Sequence, residues 1–406
     1  MIKPLRGMKD ILFEDALKFE YFIKTASNIV RNYGYSYIET PILEETALFK
    51  RSVGDSSDIV NKEMYQFIDK GGRDVCLRPE GTAGVVRAFI SNKLDRTQKG
   101  YRFFYYGPMF RYERPQKGRL REFHQFGCES FGESSVYEDY TIIEMISKIF
   151  DALNIGYKLE INSLGCSECM PSYRDSLVKY LDNKRDKLCT DCNNRINTNP
   201  IRVLDCKVES CKQELIDAPK ITDNLCENCQ RDFEKLQELL TQNGIEFSVN
   251  KNLVRGLDYY NKTAFEFVSS EIGAQSAIAG GGRYDKLVEY LDGKPTPAVG
   301  FAIGIERVLD LIKLPKLESN LIYLGALDDE YVPNLLSIAK DLREKQEVFI
   351  EYKSKKMANH LKSAAKMDAL YCGIIGENEA KEGLIWVKNL NTQEQKVIKI
   401  EQLINI

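Results

Sequence analysis

The residues best suited to chemistry gather in segment 110–132, FRYERPQKGRLREFHQFGCESFG, where Arg111, Arg114, Arg119 and Arg121 stand near Gln125 and Glu129. The segment follows an aromatic run, breaks at 115–118, and resumes with Phe123, Phe126 and Phe131 between polar residues, which predicts two strands joined by a basic loop. Guanidinium groups carried on strands need partners when buried, and a polyanion such as a nucleotide supplies them. Their planar forks suit phosphate and carboxylate better than lysine does. Three further segments carry candidates. DVCLRPE (74–80) reads as a strand delivering Arg78 and Glu80 to its exit. LVRGLDYYNKTAFEFVS (253–269) places Arg255 and Asp258 around a glycine, and an Arg255–Asp258 pair bracing the loop is the purely structural alternative. AGGGRYD (279–285) and GFAIGIERVLDL (300–311) follow, with glycines that permit close backbone approach and Arg307 on the first turn of a helix, where Glu306 could be no more than its ion-pair partner.

Cysteine usage points to a second kind of site. Of eleven cysteines, Cys76, Cys128 and Cys372 sit singly in apolar runs and read as core. The other eight form four close pairs: Cys166 with Cys169, Cys189 with Cys192, Cys206 with Cys211, and Cys226 with Cys229. Such spacing is characteristic of metal ligands rather than disulfides, and soft thiolates in a reducing compartment favour zinc. Eight thiolates are enough for one or two structural tetrathiolate Zn2+ sites, with the grouping of the pairs open. One occupied site with four spare cysteines, or a redox-labile set, are the alternatives.

These residues must be positioned by regular elements. Apolar residues three and four apart predict a helix over 11–33, ended at Gly34, and a short strand over 35–38 runs toward Pro41. The polar stretch 50–61 reads as loop, 82–94 and 136–153 as helices, and 157–161 as a strand. Over 166–245 aromatics thin out and cysteines crowd in, with helical periodicity only in pieces such as 173–181 and 233–240, so this is read as a small inserted domain. The main fold resumes with a strand over 296–303 and a helix over 306–312. Strands outnumber helices here and the hairpin is local, so an antiparallel sheet backed by helices is expected. After a linker at 315–320, short strands and helices alternate as in a small α/β domain with a partly parallel sheet. Its lysines 353, 355, 356, 362 and 366 are a candidate RNA-backbone contact, although an ordinary solvated face accounts for them equally well.

Bulk properties narrow the classes. A chain of 406 residues predicts two or three domains, and a formal charge of −3 excludes a generally polybasic surface. The N-terminus lacks the apolar segment of a secretory signal, and no window approaches eighteen uncharged apolar residues, so a cytoplasmic protein without membrane contact is expected.

Taken together these segments resemble the class II aminoacyl-tRNA synthetases, and the histidyl-tRNA synthetase family most closely. GYSYIETPILEE (34–45) is similar to the first motif of that class, 110–129 to the second and 300–311 to the third, while 253–267 and 279–285 resemble the two signatures of the histidine enzymes. The resemblance spans nearly the whole chain. It implies an α+β fold: a class II synthetase-like antiparallel sheet flanked by helices, made from 1–165 and 246–318, a cysteine-rich insertion at 166–245 and a C-terminal α/β anticodon-binding domain at 321–406. It implies ATP-dependent ligation of L-histidine to tRNA(His) by a homodimer, with Mg2+ accompanying ATP. Arg111 and Arg307 would hold the α- and γ-phosphates, with Arg119 assisting at the ATP or tRNA end. Glu80 would take the substrate ammonium, and Thr82, Gln125, Glu129, Tyr260 and Tyr284 would line the histidine pocket. An imidazole with one donor and one acceptor nitrogen is readable by a buried carboxylate and a phenol. Arg255 would lie between substrate carboxylate and α-phosphate as the catalytic group. His124 is given no chemical role. The best-known members of the family are not characterised by the cysteine array, so the zinc reading rests on spacing alone.

Two competing readings explain part of this pattern. A synthetase-like regulatory subunit of ATP phosphoribosyltransferase would bind histidine without aminoacylation, but such proteins generally lack the terminal domain and have eroded catalytic arginines. A zinc-dependent RNA-binding module would explain the cysteines and not the arginines.

Overall fold

The computed structural model describes residues 2–403 except 55, 56, 58, 98, 117, 207, 273–276 and 316–318. The chain divides into two compact units, Met1–Leu314 and Pro315–Ile406. Of the expected linker at 315–320, residues 316–318 lie outside the described residues.

The first unit is built on an eight-stranded sheet in the order Ser36–Tyr37, Tyr101–Phe110, Glu122–Phe131, Ala298–Gly304, Ala277–Arg283, Asn261–Val268, Lys158–Ser163 and Phe247–Val249. Its six inner strands are antiparallel, as expected, but both outermost strands pair in parallel. The sheet is therefore mixed. Alternation along the strands sorts side chains between two faces. Phe126, Cys128, Phe265, Phe267, Phe301 and Ile303 enter one core with helices Glu14–Asn32 and Val136–Ala152. Helix Glu14–Asn32 buries Phe22, Ala26 and Val30 at four-residue steps. Gln125, Glu129, Glu266 and Gly300 alternate with these core residues and so fall on the opposite face. One face is thus covered by helices and the other is left for polar groups. A buried ion pair between Arg283 and Asp139, at 2.6 Å, ties the sheet to helix Val136–Ala152.

Segment 50–61, expected as loop, is largely helical: helix Thr46–Val53 is followed by a π-helical turn Ile59–Glu63, while Asp55, Ser56 and Asp58 lie outside the described residues. Leu48, Phe49, Val53 and Ile59 form a small buried cluster there, and the intervening Lys50, Arg51 and Ser52 mask its periodicity in the sequence.

Residues 166–245 are also more helical than their apolar period indicates, with helices Met170–Asp182, Thr190–Thr198, Glu209–Glu214 and Glu227–Gln242. Cysteines explain the difference, because Cys169, Cys189 and Cys226 occupy the positions just before three of these helices. This segment has a core of its own in which Tyr173, Leu177, Leu181, Ile196 and Val203 pack with five of the thiols.

The second unit carries a five-stranded sheet ordered Val348–Ile350, Ile322–Ala326, Tyr371–Ile375, Leu384–Asn389 and Gln395–Lys399. Its first three strands are parallel and the last two join antiparallel. The final strand escaped sequence reading because its side chains are mostly exposed and polar. His360 is buried between the Tyr323 hydroxyl at 3.0 Å and the Ala326 carbonyl at 2.8 Å, a packing role.

Candidate active site

The polar face of the larger sheet floors a cavity of about 360 Å3. Eight of the ten expected ligand-binding residues line it: Glu80, Thr82, Arg111, Arg119, Gln125, Arg255, Tyr260 and Arg307. Glu129 and Tyr284 lie beneath, 1% exposed each.

The acidic end is set by helix Thr82–Ser91. Glu80 accepts the backbone N–H groups of Thr82 at 2.6 Å and Ala83 at 2.9 Å, so its carboxylate caps that helix while bordering the cavity. Thr82 Oγ1 donates to Glu129 Oε1 at 2.7 Å, and the hydroxyls of Tyr105 and Tyr284 also donate to Glu129. Burial raises the pKa of Glu80 against the helix N–H groups. Burial likewise pushes Glu129 from an ordinary 4.5 up to about 8, with Tyr284 and Thr82 acting in the other direction. The negative charge of nearby Glu80 adds to the pressure against ionisation of Glu129.

The basic end is assembled from distant segments. Arg111 leaves strand Tyr101–Phe110, donates Nε to the Pro79 carbonyl at 2.9 Å and lies 5.2 Å over the Phe123 ring. Arg307 donates to the Gly118 carbonyl at 2.9 Å and the Ala277 carbonyl at 2.7 Å. Its pKa is lowered by burial and then by the like charges of Arg119 and Arg111. Three guanidinium groups crowded enough to oppose one another form a site for a polyanion. The suggested Glu306–Arg307 pair is not what holds Glu306: it receives the His124 backbone N–H at 2.8 Å and meets His124 Nδ1 at 2.7 Å. That contact gives His124 a bracing role. Arg119 reaches Glu113 at 3.1 Å.

Between the two ends lies Arg255. The alternative pairing with Asp258 does not occur; Arg255 Nη1 pairs with Glu266 Oε1 at 2.7 Å, whereas Asp258 pairs with Arg202 at 2.9 Å. Burial opposes the charge of Arg255, and Glu266 with Tyr260 outweighs it, so its pKa is raised. Arg255 Nε, Gln125 Oε1 and the Tyr259 hydroxyl are buried without a hydrogen-bond partner among the described residues. Such groups at one cavity signal a ligand that completes them.

Sequence reading missed Tyr105, Tyr259, Glu266 and Glu113. Glycines were the available signal for one of them: a Cβ on Gly280 would stand 2.5 Å from Arg255 Nη2, and Gly280 is the register partner of Glu266. Similarly a Cβ on Gly300 would stand 1.8 Å from Glu129 Oε2. Arg78 takes the opposite course from Glu80, turning into the protein to bond the carbonyls of Pro108 and Thr40, each at 2.9 Å.

The eight paired cysteines converge into two groups, Cys166, Cys169, Cys226 and Cys229, and Cys189, Cys192, Cys206 and Cys211, the sulfurs of each group lying within 4.8 Å of one another. Separations of 3.7 Å for Cys166–Cys169, 3.8 Å for Cys166–Cys226 and 3.9 Å for Cys189–Cys206 match the edge of about 3.8 Å in a tetrahedron of 2.3 Å Zn–S bonds. The donor sets therefore fit zinc.

Comparison with known proteins agrees with this geometry. Residues 7–308 match the family described as histidyl-tRNA synthetase and residues 318–406 that described as anticodon binding domain. The chain is 64% identical over 403 residues to a histidine–tRNA ligase of Sulfurovum sp. (strain NBC37-1), covering 99% of this chain and 100% of that protein. It is 61% identical over 401 residues to a histidine–tRNA ligase of Sulfurimonas denitrificans, again covering 99% and 100%. The crystal structure of apo histidyl-tRNA synthetase from S. aureus, 33% identical, matches with a TM-score of 0.84 over 100% of this chain and 99% of that one. A sheet face with carboxyl groups at one end and opposed arginines at the other, joined to an anticodon-binding unit and matched along its whole length, shows that the chain belongs to the histidyl-tRNA synthetase family.

Proposed function

We propose that the cavity is where the family's reaction takes place, with Arg255 as the group that lets two anions meet. The chain aminoacylates tRNA(His) with histidine. In the first step a histidine carboxylate oxygen bonds to the α-phosphorus of ATP, the bond to the bridging oxygen breaks, and pyrophosphate leaves. A terminal ribose hydroxyl of tRNA then attacks the activated carbonyl and AMP departs. Carboxylate and phosphate repel, and the transition state spreads further negative charge over the phosphoryl oxygens. One fixed guanidinium between them offsets both. The observation that carries this reading is that Arg255 lines the same cavity as Glu80, Arg111 and Arg307 while its Nε stays unpartnered.

Glu80 takes the substrate ammonium and Thr82 supports it; Gln125, Glu129, Tyr260 and Tyr284 surround the imidazole. A site built to pair both ring nitrogens rejects an aromatic lacking them by leaving its own groups unpaired. Arg111, Arg119 and Arg307 hold ATP, which enters as its magnesium complex. Histidine-dependent exchange of pyrophosphate into ATP, measured across all twenty amino acids, tests the assignment. Exchange is expected with histidine alone and should collapse in Arg255→Ala. Undiminished exchange in that variant would remove Arg255 from the chemistry.

The catalytic core is assigned to 1–165 and 246–318, the insertion to 166–245 and the anticodon-binding domain to 321–406. In each thiol group four cysteines would hold one structural Zn2+, which leaves no open position for chemistry. Reduced thiols on this scale suit the cytoplasm, and no described helix is long and apolar enough to cross a membrane. Exposed Tyr37, Ile42, Leu43 and Tyr106, on or near the two-residue edge strand, support a homodimer through that edge. The terminal lysines 353, 355, 356, 362 and 366 remain the candidate tRNA-backbone contact.

A further inference from the structure

Loop 250–260, which carries Arg255, contains no helix or strand. Its start is tied to the sheet, where Asn162 Nδ2 donates to the Leu253 carbonyl at 2.9 Å, and its end runs into strand Asn261–Val268. Between those ends the anchoring comes in large part from the cysteine-rich insertion. Arg202 Nε donates to Asp258 Oδ1 at 2.9 Å, Asn199 Nδ2 donates to the same oxygen at 2.9 Å, and Arg202 Nη2 donates to the Gly256 carbonyl. The Asp258 backbone N–H also reaches the Val53 carbonyl at 3.3 Å. Arg202 thus grips the residue immediately after Arg255 and the one three positions on. Its own position is firm: it lies in the turn Pro200–Asp205, where Val203 is fully buried and Cys206 follows directly in the second thiol group.

Packing seats the loop in part, through buried Leu253 and Tyr259 and through Leu257, which packs against two apolar clusters. A crevice of about 60 Å3, bordered by Tyr173, Leu204, Val254 and Leu257, separates it from the insertion. That is room for roughly two waters, so on the side of the insertion it is the polar grip that holds the backbone of 254–258.

We propose that Arg202 is a positioning residue for the adenylation step: through Gly256 and Asp258 it holds the loop so that the Arg255 guanidinium faces the reacting anions. The inference rests on the assignment of Arg255 above. It gives the insertion a part in activating histidine, before any tRNA is bound. A displacement of the order of 1 Å at a reacting group costs about a hundredfold in rate, and a loop released at two of its anchors can move that far.

The test is pyrophosphate exchange by full-length Arg202→Ala, Arg202→Lys, Asp258→Asn, Arg255→Ala and the Arg202→Ala/Arg255→Ala double variant. In Arg202→Ala, kcat should fall about ten- to a hundredfold while KM for ATP and for histidine stays within about threefold, the split expected of lost transition-state contact. Arg202→Lys keeps a charge near Asp258 without the fork that also takes the Gly256 carbonyl, and should recover part of the loss. The double variant should be no slower than Arg255→Ala, because both changes remove the same contact. Arg202→Ala within about twofold of wild type, or losses that multiply in the double variant, would overturn the inference. If Arg202→Ala lowers Tm enough to obscure the rate, Arg202→Lys and Asp258→Asn decide it by the same kcat–KM split. Wild-type exchange in Arg255→Ala would instead remove the assignment beneath.

Discussion

Arg255 Nη1 lies 2.7 Å from Glu266 Oε1 above Gly280, where a Cβ would stand 2.5 Å from the other guanidinium nitrogen. Glu266 and Gly280 face each other across two antiparallel strands, so one register places both the counter-charge and the bare backbone beneath Arg255. Gly280→Ala should therefore displace the guanidinium with little cost to the sheet. Exchange activity is expected to fall about a hundredfold, with a loss of stability of no more than about 1–3 kcal/mol from the disturbed Arg255–Glu266 pair. Equal activity in the variant would show that the close approach has no catalytic consequence.

Glu266 is the counter-ion of Arg255. Removing its charge by Glu266→Gln leaves a cation poorly matched, and a loss of about 1–3 kcal/mol is expected, moderated because both side chains retain some contact with solvent. ATP should restore more stability to this variant than to wild type, since its phosphates then supply the missing charge. Thermal unfolding with and without ATP measures both effects.

Glu129 makes the stability of the protein sensitive to pH. Its pKa in the fold, about 8, lies above its ordinary 4.5, so its stabilising contribution is complete below 4.5 and is lost as pH rises toward 8. Wild-type stability relative to Glu129→Gln should decline across that interval and level off above it. Denaturant midpoints for the pair at pH 5, 6.5 and 8 give the difference directly, and parallel curves would show that the carboxyl is ionised throughout.

Zinc should be measurable without any activity assay. Elemental analysis of freshly purified protein is expected to give two zinc per chain, Cys229→Ser or Cys192→Ser to give one, and a strong chelator to lower Tm. Absence of metal from reduced protein would reduce these groups to packed thiols.

Asp139 and Arg283 are nearly free of solvent and pair at 2.6 Å, Arg283 directly preceding Tyr284 and both bordering a small crevice with Cys229. Asp139→Ala removes the nearer of two carboxylates from Arg283, which keeps Asp285 at 3.3 Å and the carbonyls of Glu133 and Ser135, so the cost in denaturant unfolding should lie at the low end of a broken buried pair, about 3 kcal/mol. The conservative Asp139→Asn should cost less because it keeps one acceptor oxygen.

Much of this molecule was legible in its chain. The hairpin of 101–131, the helices with four-residue apolar steps and most of the terminal α/β elements follow from local periodicity. The candidate site residues came from motifs resembling those of the family, and eight of the ten line one cavity. The helix within 46–53 was not, because charged residues hide the face that packs. Helices of the insertion were obscured for a related reason: their ends are set by cysteines, and their burial depends on sulfurs distant in sequence.

By itself the sequence determined which groups are present: arginines suited to a polyanion, carboxyl groups near them and eight thiols in four pairs. Tertiary structure alone decided their partners, giving Arg255 to Glu266 and Asp258 to Arg202, and Cys166 and Cys169 to Cys226 and Cys229. The reason is physical. Local spacing fixes which face a side chain takes on its own helix or strand, while the identity of the opposing charge or sulfur depends on strand register and on loops closed over dozens of residues.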